Sequence, residues 1–184
     1  MTAKAKRPRR LDFIVDKLTN SIQNKLTGES LETVIVRLGK DDFVSLRGLK
    51  WTFDWTAEIK DPDRVVHALI TKENPSFWHG LVSSEDNHDH IFMHLIENAP
   101  LNKGREKLFD GVMGNLVAFL CKTSFERGYS GVVAFDAKTR LIEHYQKMLG
   151  AQLFSANSMF INTPEAIKLI RRYFPNFEHD RDRF

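Results

Sequence analysis

The chain has 184 residues, 42% of them hydrophobic and 28% charged, with a formal net charge of +3. That is enough apolar material for one domain with its own core and too much for a disordered chain. A lone cysteine excludes a disulfide framework within the chain and fits a reducing cytoplasm, and no stretch reaches the ~18–20 apolar residues that a membrane-crossing helix takes.

Lys4, Lys6, Arg7, Arg9 and Arg10 make residues 1–10 a basic arm. No apolar run follows it, so it does not read as a secretory signal. Such an arm is commonly a disordered, solubilising end, and residues 4–10 could also make weak contact with nucleic acid or an acidic partner. Leu11, Ile14, Val15, Leu18, Ile22 and Leu26 then follow at helical spacing. That spacing predicts an amphipathic N-terminal helix over 11–28, closed by Gly28. It would lie outside the core or against a second subunit, which leaves a homodimer open.

Residues 33–38 are rich in β-branched side chains and predict a first strand, and residues 39–42 a turn. Over 51–59 apolar and polar residues alternate, so an extended segment is expected. Trp51 and Trp55 within it would line an acceptor pocket or cover a core face. Residues 61–63 predict a turn. Residues 64–71 and 77–83 predict two strands joined around Asn74 and Pro75, with a second turn over 84–87.

The block from His90 to Leu149 organises the rest. An apolar strand over 91–97 ends at Asn98-Ala99-Pro100, and a basic loop covers 101–107. Gly111-Val112-Met113-Gly114 opens a long helix whose apolar residues Leu108, Phe109, Val112, Met113, Leu116, Val117, Leu120 and Cys121 form one stripe. Gly128 is its stop, and residues 131–135 predict a buried strand. A second amphipathic helix carries Leu141, Ile142, Tyr145, Met148 and Leu149. Residues 152–154 and 158–161 predict a closing hairpin, and a last helix starts at Thr163-Pro164, with Thr163 as its cap, and ends at Pro175.

A helix start leaves backbone N–H groups unpaired and carries partial positive charge, and glycines there let a phosphate approach. Lys103, Arg105 and Lys107 just upstream add positive charge, while Asp110 would repel a phosphate or cap the helix. The same glycines also read as ordinary punctuation or close packing. Cys121, on the stripe, reads as a small buried apolar residue. His88, His90 and His94 share a strand face with Asp86 and Asp89 nearby, but with no cysteine and no clear fourth ligand a metal site is not expected.

The block resembles the cofactor-binding half of the GNAT N-acetyltransferase superfamily, over about residues 64–174. Asn98-Ala99-Pro100 stands where the family has a Val-x-Pro-like sequence. Gly111-Val112-Met113 stands at its Gly-x-Gly/Ala turn, and Tyr145-Gln146-Lys147-Met148-Leu149-Gly150 at its Tyr-x-Lys signature. The chain departs from the pattern in a longer loop before Gly111 and in Leu108 at the Arg/Gln position, which leaves Lys107 or Arg105 to serve. It departs also in Met113 at the second glycine, and in the extended 51–59 segment where relatives carry two helices.

The resemblance implies a single-domain α/β fold over 11–184, a mixed central sheet flanked by helices, with the extra N-terminal helix. It implies acetyl-CoA as co-substrate and direct acetyl transfer to an amine acceptor. The cofactor would meet Asn98, Ala99, Lys103, Arg105, Lys107, Gly111, Val112, Met113, Gly114, Asn115 and Lys138, the last standing where the family has a helix-start asparagine. Glu97 would be the base or hold a water relay, backbone N–H groups near Asn98 and Ala99 would meet the thioester carbonyl, and Tyr145 would protonate the thiolate. Glu97 could equally be a paired surface carboxylate and Tyr145 a packing residue. The alternatives are a CoA-binding module of the same fold without catalysis, or a nucleic-acid or partner-binding protein using the basic arm.

Overall fold

A computed structural model describes residues 9–16, 18–19 and 21–178. In chain order the elements are β1 (Ile22–Asn24), β2 (Ser30–Leu31), β3 (Thr33–Arg37), α1 (Phe43–Gly48), α2 (Trp55–Lys60), β4 (Val65–Thr71), β5 (Gly80–Asp86), β6 (Ile91–Asn98) and β7 (Phe109–Asp110). They continue with α3 (Val112–Glu126), β8 (Val133–Asp136), α4 (Ile142–Leu149), β9 (Gln152–Ser155), β10 (Ser158–Ile161) and α5 (Thr163–Tyr173). Seven strands form one sheet in the spatial order β3-β4-β5-β6-β8-β10-β9. Its pairs are antiparallel except β6–β8, which is parallel and crosses over through α3. A parallel pair needs such a crossover, because a tight turn can only reverse the chain. A small second sheet pairs β1 with β2 and with β7.

The mixed sheet flanked by helices is the architecture expected. The stripe of α3 explains its place: Val112, Met113, Leu116, Val117, Leu120 and Cys121 are all buried, and the helix packs on α5 and on β6, whereas Leu108 and Phe109 fall outside it, Leu108 exposed on the loop and Phe109 in β7. Removing those side chains from water is the main term that fixes α3 across the sheet, at roughly 25 cal/mol per Å² of apolar surface.

Several expectations are corrected. The described residues of 11–28 form no helix: residues 11–16 run extended, and β1 and a turn follow. Leu11 donates its N–H to the Asp136 carbonyl at 2.6 Å and its own carbonyl accepts from Lys138 N at 2.8 Å, a parallel bridge beside Ala137. Leu11, Phe13 and Val15 are buried while Ile14 is 53% exposed, so the working period is two and not 3.6. The face that the helix was expected to offer a second subunit is therefore not formed.

The 51–59 segment is not extended either. The Asp54 carboxylate accepts from Ala57 N at 3.1 Å and caps α2, which buries Trp55 and Glu58 one turn apart. A side-chain cap at the first turn overrides an alternation that merely resembled a strand. With α1, two short helices therefore precede β4. The cap of α5 is Asn162, whose side chain accepts from Glu165 N, and not Thr163. The second middle strand starts at Gly80 and runs through the predicted turn to Asp86. Of the basic arm, Lys4, Lys6 and Arg7 lie outside the described residues; Arg10 is exposed and the Arg9 guanidinium stands 5.0 Å over the Phe53 ring.

Candidate functional site

The site begins with an irregularity in β6. Ser83 faces Leu95 and Ser84 faces Met93, so His94 is an extra residue on β6. Such a bulge bends its strand and sharpens the twist. The parallel partner β8 follows β6 only at Ile91–Val133 and Phe92–Ala134. Beyond those pairs the strands part, and at the end of β6 lies a cleft of about 480 Å³ bounded by Ile96, Glu97, Asn98, Lys103 and Met113 and walled on another side by Asp12, Phe13, Ile14 and Asp16. The start of α3 faces the same region. Gly111 precedes it at φ +85°, a conformation that favours glycine.

Glu97 is only 4% exposed. Its carboxylate accepts from Thr52 N at 2.7 Å and from the Trp55 indole Nε1 at 2.8 Å, and it is ion-paired with Lys103. Burial pushes this carboxyl up, but the hydrogen bonds from Lys103, Trp55 and Thr52 outweigh that and hold it below the usual carboxylate range. It is therefore ionised at neutral pH. Trp51 and Trp55 meet edge to face at 6.3 Å, and with Leu46, Arg47, Phe53 and Asp54 they bound a second hollow of about 280 Å³ behind Glu97.

The residues singled out for the cofactor divide into those that face this cleft and those that do not. Lys103 does, through its ion pair with Glu97. Met113 lines the cleft, and Val112 and Gly114 are buried beside it at the helix start. The amide oxygen of the Asn98 side chain is buried and has no hydrogen-bond partner among the described residues. Ala99 N is spent on the His79 carbonyl at 2.9 Å, so that amide is turned away from a ligand. Asn115 is also turned away: its side chain donates to Thr33 Oγ1 at 3.2 Å on the far side of α3. Arg105 is exposed on the loop. That loop is held by a residue the sequence did not single out, Asn102. Its Oδ1 accepts from Leu108 N and Phe109 N, and its Nδ2 donates to the Phe109 carbonyl at 3.0 Å. A buried asparagine after a Pro turn was the available signal.

Residues 11–16 run extended from a bridge at the end of β8 and along the cleft. Lys107 is ion-paired with Asp16 and also reaches Asp110 at 3.1 Å, while Lys138 is ion-paired with Asp12. Asp16 Oδ1 lies 3.4 Å from Gly111 N. A Cβ on Gly111 would collide with the Thr19 hydroxyl, and one on Gly114 would meet Tyr173 and Leu18. Tyr145 is fully buried; it stacks on Phe13 with ring centroids 4.7 Å apart and donates its hydroxyl to the Phe13 carbonyl at 2.8 Å. Burial, and then the charge of Asp12, push the Tyr145 hydroxyl up, so it stays protonated. Lys107 thus lies near the start of α3, Lys138 before α4 and Lys103 at the end of β6, each ion-paired with a carboxylate of the chain.

Among the described residues no group of three or more His, Cys, Asp or Glu is placed to hold a metal, and no described helix is long and apolar enough to cross a membrane. Cys121 is buried, and burial pushes its thiol up.

No protein-family model and no curated protein sequence matches the chain. Solved structures do. The spermidine/spermine N-acetyltransferase SpeG from Vibrio cholerae, in complex with manganese ions, superposes with a TM-score of 0.51 at 15% identity, covering 74% of this chain and 96% of that one. Spermidine N-acetyltransferase from the same organism, in complex with CoA and spermine, gives 0.51 at 13% identity, over 74% and 98%. AtaTR bound with AcCoA gives 0.52 at 13% identity, over 75% and 98%. The chain therefore shares the fold of these N-acetyltransferases, the GNAT fold. At these identities the likeness establishes the fold, and the chemistry has to be argued from the site.

Proposed function

We propose that the chain is an acyl-CoA-dependent N-acyltransferase that moves an acetyl group from acetyl-CoA to an amine. One observation carries this reading: β6 and β8 part after Phe92, and the cleft beside the start of α3 is lined by Lys103 and Lys107, with Lys138 paired to Asp12 on its wall. Parted parallel strands expose backbone groups that a ligand can pair with, and the helix start with its lysines favours a phosphate chain. Solved neighbours of the same fold hold CoA and AcCoA.

The transfer balances as follows. The neutral amine nitrogen attacks the thioester carbonyl carbon, a C–N bond forms, the C–S bond breaks, and the thiolate takes a proton. Glu97, ionised and at the end of β6, takes the amine proton through water or holds that water in place. Tyr145 is the proton donor to the thiolate; burial pushes its hydroxyl up in this structure, so the donation requires its release from the Phe13 carbonyl, and solvent returns the proton to it afterwards. The hollow walled by Trp51, Phe53 and Trp55 beside Glu97 is the acceptor side. Spermine is bound by one neighbour, so polyamines lead the acceptor screen. A cytoplasmic setting suits a chain with a single, buried cysteine.

The test is release of free thiol from acetyl-CoA with spermidine, spermine and a panel of primary amines. An acid–base group is worth ~10²–10⁴-fold, so Glu97→Gln and Tyr145→Phe should lower kcat by at least ten-fold in folded protein. If acetyl-CoA neither binds nor is consumed with any amine, the reading fails. If it binds but both variants match wild type, the non-catalytic CoA-binding alternative replaces it; the ion pair that ties Glu97 to Lys103 favours that second reading.

A further inference from the structure

We infer that residues 11–16, with Leu18 and Thr19, form a displaceable wall of the acyl-CoA cleft that stands in the cofactor's path, so that acetyl-CoA enters only when this segment leaves. The inference rests on the acyl-CoA reading of the cleft, and it concerns how that site is controlled.

Four observations converge. The first is charge. Asp12 is paired with Lys138 and Asp16 with Lys107, lysines assigned to the cofactor's phosphates. Asp16 also turns a carboxylate oxygen toward Gly111 N, where the phosphate chain would lie. The segment thus puts carboxylates where the cofactor would put phosphates.

The second is space. Gly111 has Thr19 and Ser21 against its open side, and Gly114 has Leu18 and Tyr173. The close approach that glycines allow at a helix start is taken by the chain itself.

The third is backbone pairing. The segment adds to the open edge of β8 through the bridge at Ala137, where pantetheine-like amides would otherwise find partners. Val15 N donates to His144 Nε2 at 2.9 Å, which pins the middle of the segment to α4.

The fourth is the proton donor. The Tyr145 hydroxyl is given to the Phe13 carbonyl, so it cannot serve a thiolate while the segment is docked.

The same interactions show why the segment can leave. It joins the sheet by one isolated bridge, whereas β3 runs in continuous register with β4 from Thr33–Thr71 to Arg37–His67. Ile14 projects into solvent. Acetyl-CoA would bring phosphates for Lys107 and Lys138, amides for the β8 edge and an acyl-pantetheine arm for the apolar surface that the buried Leu11, Phe13 and Val15 now cover. A protein whose competent state is a fraction f of the population binds with an apparent Kd raised by 1/f.

The test uses the full chain. Asp12→Asn/Asp16→Asn removes the carboxylates that hold the lysines and is expected to tighten acetyl-CoA binding by at least ten-fold in a calorimetric titration. Leu11→Cys/Ala137→Cys places thiols at bridge partners; the oxidised, cross-linked form should lose acetyl-CoA binding and regain it on reduction. Hydrogen exchange over residues 9–21 should rise in wild type when acetyl-CoA is added. A charge variant that binds no tighter than wild type overturns the inference. So does a cross-linked form that binds as well as the reduced one, and in that case the acyl-CoA reading survives. If no form binds acetyl-CoA, both fall together.

Discussion

Glu97 offers a measurement in which structure and chemistry can be separated. Its carboxylate takes three kinds of donor at once: the Thr52 amide at 2.7 Å, the Trp55 indole at 2.8 Å and the Lys103 ammonium. Glu97→Gln keeps the shape but turns an NH2 toward donors, leaving at least one of them facing another donor. A hydrogen bond to a charged group is worth ~1.5–3 kcal/mol, and an orphaned buried donor costs about the same. A loss of roughly 2 kcal/mol follows, and with about 2–4 °C of Tm per kcal/mol for a chain of this size the melt should fall by about 4–8 °C. The sign with pH is fixed by the direction of the shift. The folded carboxyl titrates below its ordinary value of 4.5, so the native ion contributes stability above that pH and loses it as pH falls through the folded pKa. Urea midpoints of wild type and variant should therefore differ by a constant amount between pH 7 and 5.5 and converge below about pH 4.5. A gap that persists unchanged at pH 3.5, or no gap at pH 7, would show that the carboxylate is not held by these donors.

His79 is enclosed between Phe77 and Phe109, with ring centroids 4.7 Å from each, and burial lowers its pKa to about 4. The unfolded chain takes up its proton first, so stability should decline from about pH 6.5 toward pH 4, by up to ~1.4 kcal/mol per pH unit for one such histidine; urea midpoints of His79→Gln against wild type should show the shallower slope in the variant. Gly111→Ala combines a positive φ with a collision against the Thr19 hydroxyl. Strain and collision together should cost about 2–5 kcal/mol, while Gly28→Ala, also at positive φ but in open space, should cost about 1–2 kcal/mol from conformation alone. Equal urea midpoints for the two variants would contradict the close packing of Thr19 on Gly111.

The central block was readable because its signals are local. The α3 stripe, the glycine after it and the apolar run of β6 each specify an element without reference to anything distant. The two misread segments failed for one physical reason, since a short apolar pattern fits more than one period. Residues 11–16 satisfy the helical spacing through Leu11, Ile14 and Val15 and the extended one through Leu11, Phe13 and Val15. What decides is the open edge of β8, far away in sequence and created by a bulge at His94. At 51–59 the deciding element was the Asp54 side chain, a cap signal that the alternation obscured. The candidate site divides in the same way. Glu97 was legible from its place at a strand end. Its donors Thr52 and Trp55 lie over forty residues earlier, and the pairings of Asp12 with Lys138 and Asp16 with Lys107 span 126 and 91 positions.

Those long-range pairings tie cofactor entry to the readiness of the acid. In the proposed reading Tyr145 must face a thiolate, yet its hydroxyl is committed to the Phe13 carbonyl and its ring is stacked on the Phe13 side chain. A buried hydroxyl that loses its partner costs about 1–3 kcal/mol unless a new acceptor arrives. The sulfur of the incoming thioester is such an acceptor, and it arrives only if the backbone of Phe13 has gone. One displacement would therefore free the lysines, open the glycine face of α3 and release the tyrosine together, because the same short segment holds all of them.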